Sequence, residues 1–138
     1  MPDRITKEQR SYNMSKIKGK DTNIEVKVRK YLYHHGYRYR KNVKGLPGTP
    51  DILLTKQRIA IFVNGCFWHH HYNCKLAVYP KSRIDYWKTK INKNVDNDIK
   101  NYNLLKQLDY KVIVIWECEL NEVFESRLQQ LIEEIESE

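Results

Sequence analysis

The chain has 138 residues, which fits one compact domain and leaves little room for a second. Lys and Arg outnumber Asp and Glu by 25 to 17, and the formal net charge of +8 favours a polyanionic partner such as nucleic acid. No stretch approaches the roughly 20 apolar residues that cross a bilayer, and the first residues lack the apolar core of a secretion signal. We therefore expect a cytoplasmic protein that has no membrane partner.

Two capping boxes near the N-terminus each predict the start of a helix. Thr6-Lys7-Glu8-Gln9 predicts a short polar helix that reaches Ile17. Thr22-Asn23-Ile24-Glu25 predicts a second helix, whose apolar residues recur at helical spacing and which ends at Gly36.

The next part of the chain has the patterns of β-strands. Residues 37–43 alternate bulky and basic side chains, which predicts a strand with one exposed side. Residues 51–54 and 59–63 are short apolar runs joined by a polar turn, and they predict a hairpin at the centre of a sheet.

Helical periodicity returns in the second half of the chain, after the aperiodic residues 64–81. Residues 82–108 predict a long helix, residues 111–116 a buried strand, and residues 123–135 a closing helix. The order α-α-β-β-β-α-β-α predicts an α/β fold in which helices flank a mixed central sheet.

Cysteine and histidine are concentrated between residues 64 and 74, and a third cysteine, Cys118, follows the last predicted strand. Three cysteines cannot all pair within one chain, and thiols stay reduced inside the cell. Cys66, Cys74 and Cys118 with one histidine would close a tetrahedral, structural zinc site. The alternative is three small buried cysteines beside a solvent-facing histidine run. The residue types alone do not say which of His69, His70 and His71 is the ligand.

Carboxylates form a second group of candidates. Asp51 follows a proline at the turn before an apolar strand, where nucleases hold Mg²⁺, and Glu25 and Asp98 lie on the helices before and after it. His69 could serve as a general base or acid. The alternative for Asp51 is a turn-capping role.

Two large aromatic residues, Phe67 and Trp68, stand in the same aperiodic segment, where they fit an ordinary core poorly. Aromatic side chains can wedge between stacked bases. Trp87 could join them, but its spacing favours packing in the core with Ile84, Ile91 and Val95.

These residues belong to motifs that span most of the chain in one order. The strongest block is Gly65-Cys66-Phe67-Trp68-His69-His70-His71, and the others are Arg10-Ser11-x-Asn13-Met14, Asp21-Thr22-x-Ile24-Glu25, Leu46-Pro47-Gly48-x-Pro50-Asp51, Lys90-Ile91-x-Lys93-Asn94-Val95-x-x-Asp98 and Val114-Ile115-Trp116-Glu117-Cys118-x-Leu120. Together they resemble the very-short-patch repair (Vsr) mismatch endonucleases. The resemblance implies a single domain over residues 1–138 with a restriction-endonuclease-like core at 21–138 and a DNA-contacting helix at 1–20.

The resemblance also implies roles for individual residues. Asp51 and the backbone carbonyl of Val63 would hold a catalytic Mg²⁺, His69 would be the catalytic histidine, and Glu25 and Asp98 would order water. A structural Zn²⁺ would be held by Cys66, His71, Cys74 and Cys118. DNA would be contacted by Met14, Ile17, Phe67, Trp68, Trp87, Lys90 and Asn94, with the three large aromatics intercalating beside the mismatch.

One departure from the family pattern concerns chemistry. Many similar proteins have a second histidine where Asn64 stands, and asparagine cannot take up a proton near neutral pH. The chain also has one extra residue between His71 and Cys74 compared with the common spacing.

The expected activity is Mg²⁺-dependent nicking 5′ to the thymine of a T:G mismatch in double-stranded DNA, by a monomer inside a bacterial cell. Mismatch-repair proteins and a repair polymerase are possible partners. Two alternatives stay open: a restriction-type or nicking endonuclease that cuts matched DNA, and a zinc-stabilised DNA-binding module without catalysis.

Overall fold

A four-stranded mixed sheet runs through the computed structural model, which describes residues 22–137. The strands are β1 (Arg40–Lys41), β2 (Ile52–Leu54), β3 (Ile59–Asn64) and β4 (Lys111–Trp116), and they lie side by side in chain order. β1, β2 and β3 are antiparallel neighbours, whereas β4 runs parallel to β3 with Asn64 opposite Trp116. The predicted central hairpin and the α/β fold class are both confirmed.

Within the described part of the chain, four α-helices accompany the sheet: α1 (Asn23–His34), α2 (Ile84–Gln107), α3 (Glu117–Glu122) and α4 (Phe124–Glu136). α1 begins where the capping box predicts, because the side chain of Thr22 accepts the backbone N–H of Glu25 at 3.4 Å. The predicted helix at residues 6–17 lies outside the described residues. None of the helices within residues 22–137 combines the length and the apolar character that a membrane span requires.

The helices divide between the two faces of the sheet because strand side chains alternate. Ile61 and Val63 pack in one cluster with residues of α1, α3 and α4. Ala60 and Phe62 point the other way, into a smaller cluster with Leu105 of α2. The carboxyl ends of β3 and β4, where the motif residues begin, therefore lie between α2 and the other helices.

The structure differs from the sequence prediction in three places. Only two of the residues 37–43 form a strand: Tyr37 donates its N–H to Leu32 O of α1, and Asn42 takes a φ of +50°. β4 is an alternating strand rather than a buried one, with only Ile113 and Ile115 buried. α3 was not predicted. It starts directly after β4, where the Glu119 carboxylate accepts the N–H of Trp116 at 3.0 Å.

Candidate active site and metal cluster

Asp51 lies immediately before β2, and its carboxylate is held against β3. Its Oδ2 accepts the backbone N–H of Val63 at 2.7 Å. Burial raises the pKa of Asp51 to about 7, and the negative charge of nearby Glu25 adds to the rise, although the Val63 hydrogen bond, His69 and Arg29 oppose it. Glu25 itself is only 3% exposed. Two acids so placed favour a cation between them, because a positive charge relieves both the burial and the repulsion.

His69 and Asp98 form a hydrogen-bonded pair beside this carboxylate. Nδ1 of His69 lies 2.5 Å from Oδ2 of Asp98, which reaches it from α2. Both side chains keep some exposure, 31% for His69 and 22% for Asp98. Because Nδ1 is engaged, Nε2 is the nitrogen left for proton exchange, in the manner of a histidine that is oriented by a carboxylate. The structure thus brings all four predicted residues of the acidic site together.

Tyr102 is a member of this site that sequence reasoning missed. Its hydroxyl accepts a hydrogen bond from the Asn64 side-chain amide at 2.9 Å. Burial raises the pKa of Tyr102 to about 12, and the negative charges of Asp98 and Asp51 contribute, although the Asn64 hydrogen bond works against them. The signal was present in the sequence: Asp98 and Tyr102 are four residues apart on one helix, a spacing that puts both on the same face.

A second cluster can hold a metal ion. One ligand atom from each of Cys66, His71, Cys74 and Cys118 lies within 4.8 Å of the others. Nδ1 of His71 is 3.5 Å from the Cys66 sulfur and 3.4 Å from the Cys118 sulfur. Such separations fit ligands at the corners of a small tetrahedron. Burial raises the pKa of the Cys66 thiol to about 12, and a bound cation reverses that preference because it coordinates the thiolate.

The three neighbouring histidines have three different surroundings, and one of them lies beside the cysteines. His71 lies with the cysteines and His69 with Asp98, whereas His70 is exposed and stacks on Tyr79 with ring centroids 5.2 Å apart. The extra residue before Cys74 does not prevent the cluster from assembling.

Residues at the end of β4 support this cluster. The ring of Trp116 stacks on His71, with centroids 4.2 Å apart and planes 7° apart. Glu117 Oε1 accepts the N–H of Cys66 at 3.2 Å, and Cys118 N–H donates to the Cys66 sulfur at 3.4 Å. Sequence reasoning had not assigned roles to Trp116 or Glu117, which orient ligands rather than provide them.

Phe67, Trp68 and Trp87 form an aromatic cluster. Their ring centroids are 5.2, 5.5 and 5.9 Å apart in pairs, and all three side chains are half-buried. The spacing-based prediction that Trp87 packs in the core is therefore wrong. Ile91 is buried in the core, whereas Ile84, in the first turn of α2, is 40% exposed.

The remaining predicted DNA contacts have separate positions. The side-chain amide of Asn94 donates to the backbone carbonyl of Trp68 at 3.1 Å, so it fixes the loop that carries the aromatic cluster. Lys90 is half-buried one turn earlier on α2. Met14 and Ile17 lie outside the described residues.

The chain is similar over most of its length to proteins named as DNA mismatch endonucleases or as nicking enzymes. The sequence model of the family described as DNA mismatch endonuclease Vsr matches residues 2–76. The chain is 47% identical over 137 residues to the type II nicking enzyme V.NmeAIP of Neisseria meningitidis, with 98% of this chain and 97% of that protein covered. It is 42% identical to the type II nicking enzyme V.XorIIP of Xanthomonas oryzae, over 96% of this chain and 98% of the relative. It is 40% identical to the DNA mismatch endonuclease Vsr of Escherichia coli, over 87% of this chain and 76% of the relative.

Proposed function

We propose, since the chain belongs to the Vsr family of DNA mismatch endonucleases, that it nicks one DNA strand 5′ to the thymine of a T:G mismatch and so begins very short patch repair. Family membership makes it a DNA endonuclease with a restriction-endonuclease-like fold. The observation that carries the finer proposal is the aromatic cluster of Phe67, Trp68 and Trp87 close to the acidic site.

The acidic site is suited to phosphodiester hydrolysis. Asp51 and the carbonyl of Val63 would hold Mg²⁺, which neutralises phosphate charge and lowers the pKa of water. Glu25, buried beside Asp51, would orient the attacking water. His69 would exchange a proton through Nε2. Asp98 holds Nδ1 of His69 at 2.5 Å, so in addition to its predicted effect on water it would keep the imidazole in the required orientation.

The aromatic cluster supports a preference for mismatches. Insertion of aromatic rings into DNA requires a base step to unstack, and this costs less free energy at a mispair than at a matched pair. Phe67 and Trp68 lie on the loop that also carries His69, so insertion and cleavage would be coupled through a short stretch of backbone. A single nick needs only one copy of the chain, and we propose a monomer.

The cysteine cluster would hold a structural Zn²⁺. Three thiolates and one imidazole are a ligand set that zinc prefers, and four protein ligands leave no open position for catalysis.

The test is nicking of end-labelled duplexes that differ only in one T:G or T:A pair, with and without Mg²⁺. We expect a cut confined to the thymine-containing strand of the mismatched duplex, and only with Mg²⁺. Trp87→Ala should reduce the ratio of T:G to T:A cleavage. Tyr72→Ala should leave this ratio unchanged, because the Tyr72 side chain is 90% exposed on the loop that also carries Phe67 and Trp68.

A second candidate function is sequence-specific nicking of matched DNA. It is favoured by the relatives that are named as type II nicking enzymes at 47% and 42% identity. Equal cutting of the T:G and T:A duplexes would support this function and contradict the mismatch proposal.

A further inference from the structure

Asn64 and Tyr102 form a polar pair in the acidic site that the proposed function does not use. Asn64 is the last residue of β3 and is only 2% exposed. It points to the same face of the sheet as Phe62, whose ring packs against that of Tyr102 with centroids 4.9 Å apart. The phenol is therefore fixed from two sides, by ring packing and by a hydrogen bond.

The direction of that hydrogen bond decides what the phenol can do. The Asn64 amide nitrogen donates to the Tyr102 oxygen at 2.9 Å. A tyrosine hydroxyl has one proton of its own. Because the Asn64 interaction uses its acceptor capacity, the proton is left for a different acceptor.

The surroundings of the Tyr102 hydroxyl indicate which kind of group could accept its proton. Asp98 lies one turn earlier on α2, and both Asp98 and Asp51 act electrostatically on Tyr102. Within residues 22–137, however, the proton is donated to neither carboxylate, and Asn64 is the hydrogen-bond partner of the hydroxyl. Burial keeps the pKa of Tyr102 at about 12, so the proton is present at neutral pH. A lysine at this position would form ion pairs with the two carboxylates and so compete with a bound cation. The neutral hydroxyl of Tyr102 does not.

We propose that Tyr102 donates this proton in a hydrogen bond to a non-bridging oxygen of the phosphodiester that is cut, and that Asn64 is the residue that positions it. This inference rests on the proposed endonuclease site, because a phosphate held near Asp51 and His69 is the anion that would meet the hydroxyl. The contact strengthens as negative charge builds up on the phosphate oxygens during attack. Tyr102 would thus act mainly on the rate of cleavage and little on DNA affinity.

The experiment compares Tyr102→Phe, Asn64→Ala and the double variant with the unmodified chain. Four quantities are measured: the single-turnover cleavage rate at saturating protein, the pH profile of that rate, the Kd for the duplex, and the thermal midpoint. Tyr102→Phe removes one oxygen and keeps the ring against Phe62, so it should fold. The control is Tyr110→Phe, which removes the same oxygen from a tyrosine that packs in the same apolar cluster. Tyr110 immediately precedes β4, whereas Asn64 pairs with the last residue of that strand, so the two sites lie at opposite ends of β4.

We expect Tyr102→Phe to lower the cleavage rate about 10- to 100-fold, the loss typical of a hydrogen bond to a charged group, with an unchanged Kd and pH profile. Asn64→Ala should lower the rate by a smaller factor, and the double variant should be no slower than Tyr102→Phe, because the amide acts only through the phenol. Tyr110→Phe should cleave like the unmodified chain.

Each result bears on one part of the proposal. A Tyr102→Phe rate equal to that of the unmodified chain, or a loss explained by a lower thermal midpoint or weaker binding, would overturn the role of Tyr102. Additive losses in the double variant would overturn the positioning role of Asn64. The measurement uses whichever duplex the unmodified chain nicks, so cutting of the T:A duplex would remove the mismatch preference without touching this inference.

Discussion

At the scale of single residues, the acidic site depends on the groups that surround each functional side chain. Asp51 is disfavoured as an anion by burial and by Glu25, while His69 is held by Asp98. Under the proposed function, both arrangements would suit the site to accept a cation and to move a proton.

The His69–Asp98 pair predicts a large and specific loss of cleavage. His69→Ala should lower the single-turnover nicking rate by about 10²- to 10⁴-fold, since it removes the proton-exchanging group. Asp98→Asn should also slow cleavage, because an amide cannot hold the imidazole in the same way. The control is His70→Asn, a change at the exposed neighbour that keeps a residue type tolerant of its φ of +49°. Equal activity of the His69 and His70 variants would contradict the assignment.

Asp51 predicts a characteristic dependence of stability on pH. The pKa of Asp51 is raised from 3.8 to about 7 on folding, so the folded state binds the carboxyl proton more tightly than the unfolded state does. The free energy of unfolding should therefore fall as pH rises from about 4 to 7, because the buried carboxyl loses its proton over that range. Asp51→Asn keeps an acceptor for the Val63 N–H and removes the charge. In Mg²⁺-free buffer the variant should match the original chain near pH 4 and exceed it at pH 8, by a few kcal/mol at about 1.4 kcal/mol per pKa unit.

Urea unfolding at several pH values measures this difference. Asp96→Asn, a change at an exposed acid on α2, controls for the loss of one negative charge. A constant difference between the Asp51 variant and the original chain across pH would show that the carboxyl is not perturbed.

At the scale of elements, the loop after β3 is held by side chains rather than by regular structure. Residues 65–74 contain no helix or strand, yet they contain three of the four residues of the metal cluster, Cys66, His71 and Cys74. Cys118, on α3, connects this loop to the end of β4. The stability of the loop should therefore follow the metal content.

His71→Ala should release about one metal ion per chain and lower the thermal midpoint, because one of the four ligands is lost. His70→Asn changes the adjacent histidine to a residue that tolerates its positive φ, and the metal content and thermal midpoint should stay at those of the original chain. Elemental analysis after gel filtration, together with thermal unfolding, measures both. Full metal retention by the His71 variant would exclude the histidine as a ligand.

The elements that sequence predicted are those with a strong local apolar pattern. β3 and α2 were located within one or two residues, because β3 is a continuous apolar run and the apolar positions of α2 recur at helical spacing. Trp87 obeys the helix period but belongs to the aromatic cluster, because its ring packs against Phe67 and Trp68 of the loop after β3. Asn64 and Tyr102 are distant in sequence, and their contact depends on the angle at which α2 crosses β3, which no local pattern encodes.

At the scale of the whole molecule, the net charge of +8 acts on any DNA, matched or mismatched. Phosphate contacts by lysine and arginine release counterions, whereas stacking by neutral aromatic rings does not. Affinity and selectivity should therefore respond differently to salt.

We predict that Kd rises steeply with salt for both the T:G and the T:A duplex, with a log–log slope of about 0.9 per phosphate contact. The ratio of the two Kd values should stay constant, because the mismatch is sensed by groups without charge. Fluorescence anisotropy titrations between about 50 and 200 mM salt measure both the salt dependence of each Kd and the ratio of the two Kd values. A ratio that falls with salt would mean that charged contacts recognise the mismatch.

The metal cluster also has a mechanical consequence. Phe67 and Trp68 lie between Cys66 and His71, so a metal ion held by the cluster would fix the loop on both sides of these two aromatic residues. Trp116 stacks on His71, and Glu117 accepts the N–H of Cys66, so both connect the cluster to the end of β4. If the aromatic rings insert between bases as proposed, the loop must resist being pushed back, and the cysteines would transmit that force to β3 and β4, which pair at six positions. Loosening any one ligand would let the loop yield before the bases do, and the protein would then bind DNA without opening it.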